Sequence, residues 1–142
     1  MDSTKTLEFV TEKYDNSAIP TLEDYIRIPN LSPNYDVDFD TNGNADKACD
    51  LIVDWVKAQE LQNATIEVIK EPGRTHLILI EVEGTNNNDF TTMLYGHFDK
   101  QPPFIGWWEG YGATIPVKSE DGTKLYGRGG ADDGYSTFAA VL

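Results

Sequence analysis

Apolar residues recur at helical spacing near the start of the chain. Leu7 and Val10 lie on one helical face, and after a break at Asn16-Ser17 the same spacing resumes until Pro29 interrupts it. The pattern predicts two N-terminal helices over about 5–28.

Two further helices are predicted from the same periodicity. One covers about 45–61 and follows a loop rich in Pro, Asn and Asp. The other begins after Asp133-Gly134 and covers 135–142, where the apolar run meets no Gly or Asn cap and no basic last turn. We therefore expect this last helix to be truncated and the chain to be a fragment of a longer protein.

Three short runs between these helices have strand character. In chain order they are Thr65 to Ile69, His76 to Val82 and Thr91 to Tyr95. Turn residues separate them at Pro72-Gly73 and at Gly84 to Asp89. The middle run is apolar at consecutive positions, which is typical of strands that helices cover on both faces. Glu120 to Thr123 predicts a hairpin turn between extended segments at 113–118 and 124–126.

Together these elements predict one α/β domain over 1–142, in which a mixed sheet is layered between helices. The predicted strands and the residues that are candidates for metal binding lie within 65–134. A domain of this size buries roughly 68–70% of the surface that its unfolded chain exposes. The composition, with 39% hydrophobic and 25% charged residues, is that of a globular protein.

The charge of the chain narrows the classes of partner. Its formal net charge is −13, from acidic residues spread over the whole length, which argues against nucleic acid and anionic lipid as partners. No apolar run approaches the ~18 residues of a membrane span, and the first residues contain no apolar signal core. We therefore predict a cytoplasmic protein without a membrane partner.

The first candidate for chemistry is Gly96-His97-Phe98-Asp99, at the end of the third predicted strand. Positions i and i+2 of an extended backbone point the same way, so Asp99 can accept the proton on one ring nitrogen of His97 while the other nitrogen faces a metal. A histidine in a polar turn at a strand end is the alternative interpretation.

The second candidate is the glycine-rich stretch Tyr126 to Gly134. Its glycines permit close or left-handed turns, and its acidic pair, Asp132 and Asp133, precedes the terminal helix. Such carboxylates suit divalent cations, although a tight turn with an aspartate helix cap would have the same sequence.

In order and spacing, these two motifs resemble the M20 metallopeptidase family, especially its branch of cytosolic dipeptidases similar to carnosine dipeptidase. In that family a Gly-His-x-Asp at a strand end precedes a Trp-containing loop, a hairpin and Tyr-Gly-Arg-Gly-x-x-Asp-Asp. The corresponding features here are Gly96 to Pro102, Trp107-Trp108, Asp121 to Leu125 and Tyr126 to Asp133. The earlier helices and strands agree with the family in order but carry no diagnostic motif.

The resemblance implies the N-terminal half of an M20-type catalytic domain with two zinc ions or other divalent metals. His97 is implied to be a terminal ligand of one metal, and Asp132 the carboxylate that bridges both. Asp99 is implied to be the catalytic-site residue that orients the His97 imidazole. Two zinc ions so held would polarise a scissile carbonyl and lower the pKa of a bridging water. The resemblance also implies a strained, often cis, peptide bond between Asp132 and Asp133.

The chain departs from the family in two respects. Gly134-Tyr135 stands where the family has Lys-Gly, which puts the local contacts of that turn in question. The family's general-base Glu, a second ligand Glu, a further Asp and a distant His all lie beyond residue 142. We therefore expect hydrolysis of dipeptides or similar short amides from the full-length protein, and only weak zinc binding without catalysis from this chain alone.

Other functions stay open on the sequence. A non-catalytic metal- or ligand-binding domain would retain His97 and Asp132 without turnover. Trp107, Trp108 and Tyr111 are also compatible with an aromatic-rich carbohydrate-binding module. This sequence does not contain the residues that bind a substrate carboxylate in the family, so it does not specify the substrate. It also lacks the family's dimerising lid domain, and a homodimer of the full-length protein is only implied by the resemblance.

A calcium loop is a weaker possibility. Asp38 to Gly43 matches the first half of such a loop, but the twelfth position is Cys49 instead of a bidentate Glu. We predict a polar turn that leads into the third helix. Because Cys49 is the only cysteine, an internal disulfide and a cysteine-based zinc site are excluded.

Overall fold

A computed structural model describes residues 2–85 and 90–142. Within them the helices are α1 (Ser3–Lys13), α2 (Ile19–Ile26), α3 (Asn44–Ala58) and α4 (Tyr135–Val141). The strands are β1 (Ala64–Ile69), β2 (Leu77–Val82), β3 (Val117–Lys118) and β4 (Leu125–Tyr126). In this part of the chain no helix combines the length and the apolar character needed to cross a membrane. The turn predicted over Gly84 to Asp89 falls largely outside the described residues.

The N-terminal helices form one continuous helical run instead of two separated ones. Asp2 caps α1, since its side chain accepts hydrogen bonds from the backbone N–H groups of Thr4 and Lys5. A π-helical stretch, Tyr14–Ala18, then joins α1 to α2 where a break was predicted. Pro20 follows this stretch and has no N–H to donate, which disfavours regular α-helical bonding at this point. No residue of α1 is buried.

The predictions for α3 and for the first two strands are confirmed to within a few residues. β1 and β2 pair antiparallel, with Ile66 opposite Ile80. The inner face of this pair, which includes Ile78, packs against the core, whereas Leu77 and Leu79 on the outer face are exposed. Helices therefore cover one face of the described sheet, and the prediction of two covered faces is wrong for this part of the structure.

The predicted third strand over Thr91 to Tyr95 does not form in the described part of the chain. This segment has no strand pairing, and the side chains of Met93 and Tyr95 are 87% and 82% exposed. A strand needs a neighbour for its backbone N–H and C=O groups, and among the described residues β2 pairs with β1 alone. Across the described ranges the predicted mixed sheet is thus replaced by two separate antiparallel pairs, and Leu31 and Lys100 form an isolated parallel bridge.

The predicted hairpin and terminal helix are both present. β3 and β4 pair antiparallel around the turn at Glu120 to Thr123. Asp121 fixes this turn, because its carboxylate accepts hydrogen bonds from the Ser119 hydroxyl and from both the backbone N–H and the hydroxyl of Thr123. These bonds, led by the one from Ser119, lower the pKa of Asp121 to about 2.

The core lies where α2, α3 and α4 meet. Its buried residues are Ala18, Leu22, Tyr25, Ile26, Ala48, Ile52, Trp55, Val56 and Phe138. The rings of Trp55 and Phe138 make an edge-to-face contact with centroids 4.7 Å apart, and the indole N–H of Trp55 donates to the Ser17 hydroxyl at 2.9 Å. Phe138 thereby docks α4 onto α3, and α4 directly follows the glycine-rich stretch.

Candidate metal centre

The His97 ring is held by Asp99 from one side. Nδ1 of His97 lies 2.9 Å from a carboxylate oxygen of Asp99 and 3.2 Å from the backbone carbonyl oxygen of the same residue. Both side chains are partly exposed. The i and i+2 residues of this segment therefore meet, although the segment is not part of a sheet.

Asp132 approaches the ring from the other side. Its Oδ1 lies 3.3 Å from Nε2 of His97. The neighbouring Asp133 accepts a hydrogen bond from the backbone N–H of His97 at 3.2 Å. The peptide bond between Asp132 and Asp133 is cis, the form that the resemblance implied. The structure thus brings together all three residues that the sequence singled out, from two segments that are far apart in the chain.

The protonation of His97 follows from this placement. A neutral imidazole has one donor and one acceptor nitrogen, so a ring between two carboxylates is best satisfied when both nitrogens carry protons. Burial lowers the pKa of His97, but the negative charge and the hydrogen bond of Asp99 raise it more, and the pKa lies above the ordinary 6.5. The site thus favours a positive charge between Asp99 and Asp132.

The donor set fits a zinc ion in kind and in spacing. Imidazole nitrogen and carboxylate oxygen are both common zinc ligands, and two tetrahedral ligands lie roughly 3.4 Å apart when each is about 2.1 Å from the metal. The observed separation of His97 Nε2 and Asp132 Oδ1 is 3.3 Å. Across residues 2–85 and 90–142, however, no three His, Cys, Asp or Glu side chains converge to hold a metal. The site is therefore a pair of donors and not a complete cage.

Close packing fixes the segment that carries His97. A Cβ on Gly96 would lie 1.9 Å from Oγ and 2.7 Å from Cβ of Ser136, so only glycine fits against the start of α4. The backbone carbonyl of Phe98 accepts hydrogen bonds from the Tyr25 hydroxyl at 2.8 Å and from the Asn30 side-chain amide. The end of α2 and the loop after it thus hold the peptide bond between Phe98 and Asp99.

Lys100, which directly follows Asp99, is a buried residue that sequence reasoning missed. Its side chain is almost fully buried, at 2% exposed, and packs against Gly129 in the glycine-rich stretch that carries Asp132. Burial lowers its pKa to about 7, while three backbone carbonyl oxygens around its ammonium act in the opposite direction and favour the charged form. No local pattern indicates a buried lysine, because lysine is among the residues least often buried.

The loop between the two motifs, which contains Trp107 and Trp108, is anchored near its beginning. The Arg128 guanidinium donates to the carbonyl of Pro102 at 2.9 and 3.2 Å and stacks over the Phe104 ring, 4.2 Å from its centroid. Trp108 packs edge to face on Tyr111, although much of its surface is exposed. The loop is thus anchored, and it contributes none of the contacts to His97 described above.

His76 and the segment from Asp38 have structural roles. His76 lies immediately before β2, where its Nε2 is 3.0 Å from a carboxylate oxygen of Asp46 on α3. Lys70 pairs with the same carboxylate at 2.7 Å. The segment from Asp38 forms turns before α3, and Asn42 donates there to the Asp36 carboxylate at 2.7 Å, as expected for a polar turn.

Comparison with protein-family models found no match, and comparison with curated proteins found none either. The likeness to M20 peptidases therefore rests on the motifs around His97 and Asp132.

Proposed function

We propose that this chain contributes half of a two-zinc site to an M20-type peptidase that hydrolyses dipeptides or similar short amides. One observation carries the proposal: the His97 ring lies between the Asp99 carboxylate at Nδ1 and the Asp132 carboxylate at Nε2. An imidazole with one ring nitrogen hydrogen-bonded to a carboxylate is the arrangement that metal-binding histidines commonly adopt. The Asp132 carboxylate lies beside the other nitrogen, which would face the metal.

The residues around the His97 ring have distinct roles in this proposal. Asp99 accepts the Nδ1 proton of the protonated ring, so the proton that leaves when a metal binds is the one on Nε2, and the lone pair exposed there would face the metal. Asp133 accepts the backbone N–H of His97, which fixes the position of the segment. His97 and Asp132 would hold the metal. Zinc, when bound, polarises a carbonyl group and lowers the pKa of a water molecule.

Catalysis needs more than this chain supplies. Metal-assisted amide hydrolysis needs a positioned proton acceptor as well as a firmly held metal. In the described part of the chain the donor group stops at two side chains, and Asp99 and Asp133 are engaged by His97. We therefore propose that the general base and the remaining ligands come from residues outside these 142, and that the chain alone binds zinc weakly without turnover.

A non-catalytic metal-binding domain is the second candidate. The observation in its favour is the same incomplete donor set within residues 2–85 and 90–142. The two functions share the His97 and Asp132 pair. They differ in whether the intact protein adds a carboxylate general base and further ligands to that pair.

Zinc titration by calorimetry tests the proposal. We expect weak binding of zinc to the wild-type chain, and no detectable binding to the His97→Ala and Asp132→Ala variants, because each substitution leaves a single protein ligand. All titrations are run at one pH, on chains whose folding is verified by circular dichroism.

His76→Ala is the matched control for this experiment. It removes the other histidine of the chain, whose ring contacts Asp46 on α3, and we expect it to bind zinc as the wild type does. If the wild type binds no zinc, or if neither His97→Ala nor Asp132→Ala weakens binding, the proposed site is wrong. Equal losses in all three variants would also contradict it, because zinc binding that depends on His76 could not be assigned to the His97 and Asp132 pair.

A further inference from the structure

Lys100 joins the candidate metal centre to the C-terminal end of α2. Its ammonium donates to the backbone carbonyl oxygens of Tyr25 at 2.6 Å, Ile26 at 3.3 Å and Ile28 at 2.5 Å. Carbonyl groups at the end of a helix have no partner within the helix, and a cation there also meets the negative end of the helix dipole. All three N–H donors of the ammonium are thereby used.

The backbone of Lys100 is fixed to the same region. Its N–H donates to the carbonyl of Asn30, and its carbonyl accepts from the N–H of Ser32, both at 2.9 Å. Asp99 is preceded by Phe98 and followed by Lys100. The Tyr25 hydroxyl donates to the backbone carbonyl of Phe98. Asp99 therefore lies between two residues whose backbones are tied to the end of α2 and the loop that follows.

The other half of the candidate centre rests on the same two side chains. A Cβ on Gly129 would lie 2.7 Å from Cε of Lys100 and 2.9 Å from Cε1 of Tyr25, so the glycine backbone touches both. A Cβ on Gly134 would lie 2.2 Å from Cε1 of Tyr25. Asp132 lies between these two glycines in the chain, and its loop therefore packs directly onto Lys100 and Tyr25.

We propose that Lys100 is a positioning residue of the candidate metal centre, which sets the separation of His97 and Asp132 by anchoring both of their segments to α2. The proposal rests on the zinc site proposed above. Lys100 is not a catalytic residue, because its ammonium is directed at the α2 carbonyls and not at the His97 ring. Its stem lies against the Asp132 loop, while its backbone continues directly from Asp99.

Lys100→Met tests this role, because methionine keeps most of the stem and removes the ammonium. The chain contains only two histidines, so NMR spectra of imidazole-¹⁵N-labelled protein at one pH and without zinc resolve His97 and His76. We expect Lys100→Met to shift the ring signals of His97 and to leave those of His76 in place. We also expect its zinc affinity to fall at least about 10-fold, the effect typical of residues that orient metal ligands.

Lys70→Met is the reciprocal control. Lys70 pairs with Asp46, the carboxylate that also contacts His76, so this variant should shift His76 and spare both His97 and zinc binding. Spectra are recorded where circular dichroism shows each variant to be fully folded. A folded Lys100→Met with unchanged His97 signals would overturn the proposal, as would His97 and His76 signals that move together.

Tyr25→Phe keeps the test decisive if Lys100→Met does not fold. It removes only the hydroxyl that donates to the Phe98 carbonyl, where the Asn30 amide still donates, so a smaller shift confined to His97 is expected. Unchanged His97 signals in this variant would refute the anchoring of the segment to α2. If the wild type binds no zinc, the proposed function fails, whereas the NMR comparison still decides whether Lys100 and Tyr25 position His97.

Discussion

Phe138→Ala is expected to lower the free energy of unfolding by about 3–5 kcal/mol, the cost of truncating a fully buried aromatic side chain. Phe138 is 0% exposed and is the buried residue of α4 in the core. Its ring packs edge to face against Trp55, so the substitution removes an aromatic pair in addition to apolar burial. Urea denaturation followed by circular dichroism, with linear extrapolation to water, measures the change.

Tyr135→Ala is the control for Phe138→Ala within the same helix. Tyr135 is 42% exposed, and its truncation should change the free energy of unfolding by no more than about 1 kcal/mol. Similar losses for the two variants would mean that α4 does not dock through Phe138. Because α4 follows the loop of Asp132, we also expect Phe138→Ala to weaken zinc binding, an effect that Tyr135→Ala should not share.

Gly134→Ala is expected to destabilise the chain by about 2–3 kcal/mol through overpacking. The backbone of Gly134 has φ −53° and ψ −29°, which any residue adopts, so conformational preference alone would favour alanine. Space decides against it: the added Cβ would lie 2.2 Å from the Tyr25 ring and 2.5 Å from the backbone oxygen of Gly129. Neither neighbour is the flexible end of a side chain. Thermal and urea denaturation provide the measurement.

Gly130→Ala is the matched control in the same loop. Gly130 also lacks a positive φ, but the nearest atoms to its added Cβ lie at 3.4 Å, an ordinary contact. We expect this variant to be as stable as the wild type or more stable by up to about 1 kcal/mol, because alanine restricts the unfolded chain. If Gly134→Ala were equally harmless, the packing of the Asp132 loop against Tyr25 would have to be looser than the structure indicates.

The elements predicted correctly are those that local sequence specifies. α3 and α4 have apolar residues at helical spacing, and β1 and β2 have β-branched residues between clear turn signals, so neighbours along the chain suffice to define them. The segment from Thr91 to Tyr95 has equally good strand character, yet it has no strand pairing because pairing depends on a partner elsewhere. Sheet order and coverage are non-local properties, and they are where the prediction fails.

In the candidate site, too, local sequence predicts some contacts, whereas others depend on tertiary packing. The contact between His97 and Asp99 follows from their spacing of two residues. The approach of Asp132 to the same ring depends on the packing of its loop against α2, and only the family resemblance placed it there beforehand. Lys100 had no sequence signal, because lysine at a buried position is understood only once the carbonyl groups that surround it are known.

The exposure of α1 has a consequence for cooperativity. None of its residues is buried, so its hydrogen bonds are held by the helix itself and by its continuation into the π-helical stretch. Short helices with so little tertiary support open locally at low free energy, while α2, α3 and α4 share one core. We therefore expect the amide protons of α1 to exchange with solvent through fraying, and the unfolding transition of the chain to report on the remainder of the domain.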